Sequence, residues 1–127
     1  MGQPVVAVIE SDLGMRTAID ALLRAYGFRV ELYATAQKFL ETVTDNEPSC
    51  VVMDVQLSDL SGIELARQLL ASGVKLPTVF MTGSREQSWR RQALEVGCVA
   101  FVERPFSAKV LIEAVVTATG SNPFFEK

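Results

Sequence analysis

The chain alternates short apolar runs with stretches of helical periodicity, and this alternation limits the folds that it can adopt. Five runs rich in β-branched and other apolar residues are predicted as strands, at residues 5–9, 29–33, 50–53, 77–81 and 99–102. After each run, apolar residues recur at the three- and four-residue spacing that places them on one face of a helix. The predicted order is therefore a strand followed by a helix, five times over.

Capping residues mark where the predicted helices begin and end. Thr35 and Ser107 are the predicted N-caps of the second and fifth helices. The segments 61–64 (Ser-Gly-Ile-Glu) and 84–87 (Ser-Arg-Glu-Gln) match the capping box, so they should open the third and fourth helices. The glycines predicted to end helices are Gly27, Gly73, Gly97 and Gly120.

Most of the predicted strands are apolar throughout rather than alternately apolar and polar. Continuous apolar strands are typical of a parallel sheet that helices cover on both faces. The predicted fold class is therefore α/β, a single doubly wound domain. Residues 120–123 (Gly-Ser-Asn-Pro) read as the end of that domain, so we assign residues 1–120 to it and 121–127 to a C-terminal tail or the beginning of a linker.

Composition excludes several classes of function. A length of 127 residues with 49% hydrophobic content fits one domain with its own core. A net charge of −3 argues against direct binding to nucleic acid or to an anionic membrane. Cys50 and Cys98 lie far apart in apolar surroundings, which favours reduced core thiols, and no signal peptide or spanning stretch is present, so we expect a cytoplasmic protein.

Polar side chains stand where four of the predicted strands end. They are Asp54, the segment 10–12 (Glu-Ser-Asp), Thr82 and the segment 103–105 (Glu-Arg-Pro). Right-handed crossovers bring the carboxyl ends of parallel strands to one edge of a sheet, so these groups should share one crevice. Glu10, Asp12 and Asp54 would offer oxygen ligands to a hard cation such as Mg²⁺, although Asp12 is equally suited to capping the first helix.

Taken together, these segments resemble the receiver domain of bacterial two-component response regulators. The resemblance covers residues 5–119 and includes Asp54 after Val-Val-Met, Ser61-Gly62, Thr82, Phe101 and Arg104-Pro105. It implies a flavodoxin-like (βα)5 fold with strand order 2-1-3-4-5. It also implies that Asp54 accepts a phosphoryl group from a histidine kinase or phosphotransfer protein, with Thr82 and Phe101 as switch residues.

The resemblance further implies a metal site and a conserved cation beside the acceptor. Glu10, Asp54 and the backbone carbonyl of Gln56 would bind Mg²⁺, with Ser11 or Asp12 as a further ligand. Arg104 stands where the family has lysine, before a proline with a cis peptide bond. Receiver families often dimerise or signal through the fourth helix, fifth strand and fifth helix, so the resemblance makes this face the leading surface for a homodimer or another partner.

Three residues depart from the family pattern. Ser11 replaces a metal-binding aspartate, Arg104 replaces lysine, and Ser58 stands where a proline is usual. Arginine and lysine differ in reach and geometry, and serine brings no negative charge. We therefore expect weakened Mg²⁺ binding and slower phosphoryl chemistry.

Two functions remain open at this point. The first is a signalling switch, not a turnover enzyme, that is driven by phosphorylation of Asp54 and changes dimerisation or effector docking. The second is a degenerate receiver that acts as a protein-interaction module without phosphate. A phosphohydrolase is disfavoured because Gln56 supplies no second carboxylate, and a flavin site is disfavoured because residues 10–16 lack a glycine-rich phosphate loop.

Overall fold

The computed structural model describes residues 4–43, 47–83 and 88–123. Five strands form one parallel sheet in the order β2-β1-β3-β4-β5. The elements in chain order are β1 (Val5–Ile9), α1 (Leu13–Ala25), β2 (Arg29–Tyr33), α2 (Ala36–Thr42), β3 (Cys50–Asp54), α3 (Gly62–Ala71), β4 (Thr78–Thr82), α4 (Ser88–Glu95), β5 (Cys98–Glu103) and α5 (Ala108–Thr119). The predicted α/β class, flavodoxin-like order and parallel sheet are confirmed.

The sheet is buried on both faces, which explains why its central strands are apolar throughout. Side chains alternate between the faces of a strand. In β1, Val6 and Val8 pack into a cluster with α1 and α5, whereas Ala7 and Ile9 pack into a second cluster with α2, α3 and α4. All four are fully buried. Neither face of β1 therefore has room for a polar residue before the strand ends.

Side-chain caps fix the beginnings of four helices. The predicted caps of α2, α3 and α5 are confirmed, and α1 is capped by Asp12. The accepting oxygens and their backbone donors are Asp12 Oδ2 with Met15 (2.7 Å), Thr35 Oγ1 with Lys38 (3.1 Å), Ser61 Oγ with Glu64 (3.0 Å) and Ser107 Oγ with Val110 (3.2 Å). The capping box predicted at residues 84–87 lies outside the described residues.

The predicted bounds of β4 and β5 were wrong by one residue at both ends of each strand. β4 runs from Thr78 to Thr82 rather than over residues 77–81, and β5 extends from Cys98 to Glu103. Proline has no N–H to donate to the ladder, so Pro77 contributes only its carbonyl, to the N–H of Val51 (3.0 Å). Thr82 is thus the last residue of its strand, at the same edge as Asp54.

Both cysteines are free thiols, as predicted. Cys50 is fully buried, and burial raises the pKa of its thiol to about 12. Cys98 is half-buried, and burial raises the pKa of its thiol. Hydrogen bonds with the backbone of Ala100 and Phe80 oppose this rise without cancelling it. Both thiols are therefore kept protonated and belong to the core.

Within the described residues, no helix has the length and apolar character needed to cross a bilayer. The four glycines predicted to end helices all have positive φ, from 71° at Gly120 to 94° at Gly27. Residues 124–127, including the two phenylalanines of the tail, lie outside the described part of the chain.

Candidate functional site

The carboxyl edge of the sheet brings together the polar residues that follow β1, β3, β4 and β5. Asp54 and Thr82 are the last residues of adjacent strands, and Arg104 directly follows β5. A cavity of about 350 Å³ opens beside them. Its lining residues are Asp54, Val55, Gln56, Thr82, Gly83, Trp89 and Arg104. The predicted crevice exists, and Trp89 of α4 forms part of its wall.

Arg104 joins the two carboxylates of the site. Its Nη2 donates to Glu10 Oε1 at 3.1 Å and also donates to Asp54 Oδ2. The Glu10 and Asp54 side chains are only 6% and 13% exposed, and that of Arg104 is 28% exposed. Buried carboxylates need a nearby cation, and the guanidinium supplies one to both. The resemblance implied a cation at Arg104 beside Asp54, and the ion pair of Arg104 with Glu10 is an additional finding.

The other oxygen of each carboxylate accepts a backbone N–H. Asp54 Oδ1 accepts from Gln56 (2.8 Å), and Glu10 Oε2 accepts from Asp12 (3.0 Å). All four carboxylate oxygens of Glu10 and Asp54 therefore have a nitrogen donor. The arrangement holds both side chains in fixed orientations.

Ser11 and Asp12 are also engaged in contacts of their own. Ser11 Oγ accepts a hydrogen bond from the backbone N–H of Ser58 (3.0 Å), which joins the loop after β1 to the loop after β3. Asp12 is exposed and caps α1 through Met15. The structure thus places Asp12 in the capping role, one of the two that its sequence position allowed.

This donor set does not fit the magnesium site that the resemblance implied. Mg²⁺ requires oxygen ligands at about 2.0–2.1 Å in octahedral geometry. Here, the carboxylate oxygens of Glu10 and Asp54 point at N–H groups, and the third position carries a serine hydroxyl. Across residues 4–43, 47–83 and 88–123, no three carboxylate, imidazole or thiol side chains converge as metal ligands.

Gly62 and Asp59 fix the loop that follows the acceptor strand. A Cβ atom at Gly62 would lie 2.3 Å from the carbonyl oxygen of Asp54, so only glycine fits, and its N–H donates to Val55 at 2.7 Å. Asp59 accepts from the backbone N–H groups of Gln37 (3.0 Å) and Ala36 (3.1 Å) at the beginning of α2. These two hydrogen bonds lower the pKa of the Asp59 carboxyl below its ordinary value. No local sequence pattern indicates this contact, which joins residues 22 and 23 positions apart.

Thr82 connects the site to β5. The residue is 3% exposed, and its backbone carbonyl accepts from the N–H of Arg104 at 2.8 Å. The Arg104–Pro105 peptide bond is cis, as the resemblance implied. Arg104 is therefore joined to β4 through its backbone and to both carboxylates through its side chain.

Phe101 lies in an aromatic cluster between β5 and α4. Its ring meets the ring of Trp89 edge to face, with centroids 5.1 Å apart. The guanidinium of Arg90 lies 5.3 Å from the Phe101 ring and 5.5 Å from the Trp89 ring, and it forms an ion pair with Glu103. The two rings therefore give the Arg90 guanidinium a packing surface, while 35% of its side chain stays exposed.

Comparison with known proteins agrees with this geometry. The family model of the response regulator receiver domain matches residues 6–116. Similar proteins include Nodulation protein W of Bradyrhizobium diazoefficiens, 33% identical over 91% of this chain and 51% of its own length. The transcriptional regulatory protein FixJ of the same organism is 34% identical over 89% of this chain and 55% of its own length.

Solved structures show the same fold. The crystal structure of FixJ-N has a TM-score of 0.87 and 29% identity, covering 94% of this chain and 96% of that one. Full-length FixJ from B. japonicum has a TM-score of 0.83 and 33% identity, covering 93% of this chain and 60% of that one. The chain spans about half the length of the curated relatives it matches. It belongs to the response regulator receiver domain family.

Proposed function

We propose that this chain is a phosphorylation-dependent switch of a two-component system, in which Asp54 accepts a phosphoryl group from a histidine kinase or phosphotransfer protein. Receiver domains are signalling switches rather than conventional enzymes. The observation that carries the proposal is the position of Asp54, at the end of β3 on the wall of the 350 Å³ cavity with Thr82 and Arg104.

The side chains around Asp54 suit phosphoryl transfer. A carboxylate oxygen of Asp54 attacks the phosphorus of a phosphohistidine, the P–N bond breaks, and an acyl phosphate forms while the imidazole takes up a proton. Arg104 pairs with Asp54 before transfer and can then donate to the phosphoryl oxygens. Positioning and charge stabilisation dominate phosphoryl transfer, and both fall to groups that the sheet edge already holds.

The phosphoryl group would act on the partner surface through Thr82 and β5. Thr82 is hydrogen-bonded through its carbonyl to Arg104, and Phe101 lies against Trp89 and Arg90 on the α4 side of β5. A shift of Thr82 toward the phosphoryl group would change how α4 and β5 pack, and so would change dimerisation through α4, β5 and α5 or effector docking.

We place the domain at residues 1–120, with 121–127 as a tail or the beginning of a linker.

A second candidate is a protein-interaction module that signals without phosphate. The observation in its favour is that Glu10, Arg104 and Asp54 already form a closed set of ion pairs in which every carboxylate oxygen has a donor. Such a pocket is stable without a phosphoryl group. Asp54→Asn separates the two candidates, because it should abolish signalling by the switch and leave the module intact.

The direct test is incubation with acetyl phosphate, with and without MgCl₂, followed by intact mass measurement. The switch proposal expects a single phosphate adduct that Asp54→Asn eliminates. Ser11→Asp should accelerate its formation, and Arg104→Lys should show how far the longer guanidinium limits the rate. If the unmodified chain forms no adduct even after prolonged incubation with acetyl phosphate and MgCl₂, the switch proposal fails and the interaction module is favoured.

A further inference from the structure

We propose that the Arg104 guanidinium is the resident cation of the pocket and that it competes with a divalent cation for Glu10 and Asp54. Receiver domains generally bind Mg²⁺ at the phosphorylation site. In this chain, the same carboxylates are joined by Arg104. The inference concerns the unphosphorylated pocket and holds whether or not Asp54 accepts a phosphoryl group.

The site brings one guanidinium, that of Arg104, beside the two carboxylates of Glu10 and Asp54. Arginine stays protonated at all working pH values, so the guanidinium offsets one of the two negative charges of Glu10 and Asp54. Both carboxylates are largely shielded from solvent, with 6% and 13% of their side chains exposed. At such burial, a cation is needed to hold two carboxylates close together, and Arg104 already meets that need.

Arg104 contacts the oxygens that a shared metal ion would need. A single nitrogen, Nη2, donates to one oxygen of Glu10 and one oxygen of Asp54. A metal ion shared by the two carboxylates would have to take an oxygen from each, and their other oxygens accept backbone N–H groups of Asp12 and Gln56. A metal ion on the oxygens that Arg104 contacts would lie beside the guanidinium and be repelled by it, so each cation weakens the binding of the other.

Ser11 and Ser58 form a hydrogen bond between two loops of the site. The hydroxyl of Ser11 accepts the backbone N–H of Ser58, 47 residues away. A proline at position 58 would have no N–H to donate, so the two departures from the family pattern form one contact. This contact joins two loops of the site without using charge. The carboxylate that would favour metal over arginine is therefore absent, and its place is occupied by a loop-to-loop hydrogen bond.

Calorimetric titration with MgCl₂ and thermal unfolding in MgCl₂ or NaCl of equal ionic strength test the competition, without any phosphoryl donor. We expect the unmodified chain to bind Mg²⁺ weakly and to show the same Tm in both salts. Arg104→Met should bind Mg²⁺ about tenfold or more tightly, because the competing charge is gone. Its Tm should be lowered in NaCl and should recover in MgCl₂.

Arg67→Met is the matched control. Arg67 pairs with Glu64 on the exposed face of α3 (3.2 Å), with side chains 48% and 43% exposed, so its removal should change neither Mg²⁺ affinity nor the salt dependence of Tm. Arg104→Lys provides a second test if Arg104→Met does not fold, since a compact ammonium on a flexible stem can move aside. It should also bind Mg²⁺ more tightly than the unmodified chain.

The proposal is overturned if the foldable Arg104 variants bind Mg²⁺ no more tightly than the Arg67→Met control. It is equally overturned if the unmodified chain binds Mg²⁺ tightly and gains the same Tm in MgCl₂ as the variants do. Failure of the acetyl phosphate experiment alone would leave both of these readouts unchanged, so the two proposals fail separately.

Discussion

Two arginine clusters lie near the end of β5, and their arginines differ in what they contact. Arg104 directly follows β5, whereas Arg90 lies on α4 and pairs with Glu103 of β5. Arg104 lies at the carboxyl edge of the sheet and joins two carboxylates that are 6% and 13% exposed. Arg90 lies on α4, pairs with Glu103, and packs over the rings of Trp89 and Phe101, with 35% of its own side chain exposed. Glu103 and Arg104 are consecutive, so the two clusters are joined by one peptide bond.

The two clusters show that the contribution of an arginine to stability depends on the burial of the carboxylates that it contacts. In the Arg104 cluster, the guanidinium compensates buried negative charge, and its loss would leave two carboxylates without a cation. In the Arg90 cluster, the carboxylate is half-exposed and water can replace the arginine, so packing against the rings supplies much of the interaction. The first cluster therefore affects stability most, and the second is the easier one to rearrange.

The largest expected effect is on folding stability. Arg104→Met should lower the free energy of unfolding by about 3 kcal/mol in the absence of divalent cations, because it leaves buried carboxylates unpaired. Arg90→Met should lower it by about 1 kcal/mol, the sum expected for an exposed ion pair and a cation–π contact. Urea unfolding followed by far-UV circular dichroism measures both values under the same conditions.

Equal losses in the two variants would break the comparison between the clusters. The double variant provides a further check on whether they act separately. Sites without shared contacts usually have additive effects to within about 0.5 kcal/mol. A larger deviation from additivity would mean that residues 103 and 104 transmit strain between the clusters even without a phosphoryl group.

A second prediction concerns communication between the clusters when Asp54 is phosphorylated. Trp89 is the one tryptophan of the sequence, and it both lines the acceptor cavity and contacts Phe101. Its emission should therefore change on addition of acetyl phosphate. Phe101→Leu should reduce the change, because an edge-to-face ring contact worth about 1 kcal/mol is removed.

Asp54→Asn is the control for this fluorescence experiment, since it retains the cavity and loses the acceptor oxygen. An emission change that persists in Asp54→Asn would come from binding of acetyl phosphate to the cavity rather than from its chemistry. No change in the phosphorylated protein would mean that the Arg90 cluster does not respond to the Arg104 cluster.

Much of the fold could be predicted because its signals are local in sequence. Continuous apolar runs require burial on both faces, and Thr35, Ser61 and Ser107 cap helices through bonds to residues three positions on. Convergence of Asp54 and Thr82 at one edge then follows from the handedness of the crossovers. The ends of β4 and β5 were misjudged because apolar content does not reveal where ladder hydrogen bonds stop.

The contacts inside the site could not be predicted because they join residues far apart in sequence. Arg104 and Glu10 are 94 positions apart, and Ser11 and Ser58 are 47 apart. Sequence placed all four near one edge, but which oxygen each donor reaches depends on loop backbone conformation. Trp89 in the cavity wall is a similar case, because helical spacing predicts that residues share a buried face but not which residues that face meets.

Asp59 gives the smallest expected effect, and it tests a third way of compensating a carboxylate at this edge. It uses no arginine and instead accepts the N–H groups of Gln37 and Ala36 at the beginning of α2. These hydrogen bonds lower its pKa in the folded state below the ordinary value of 3.8. Its contribution to stability is therefore fully present above pH 3.8 and is lost as the pH falls through the folded-state pKa.

Asp59→Asn should accordingly lower the Tm slightly at neutral pH, and its Tm should approach that of the unmodified chain as the pH falls below 3.8. Thr35→Ala is the matched control, because Thr35 caps the same helix through the N–H of Lys38 (3.1 Å) with a hydroxyl that does not titrate. Its deficit in Tm should therefore stay constant across that pH range. If both variants instead kept a constant deficit, the negative charge of Asp59 would contribute nothing to stability beyond what a neutral hydrogen-bond acceptor provides.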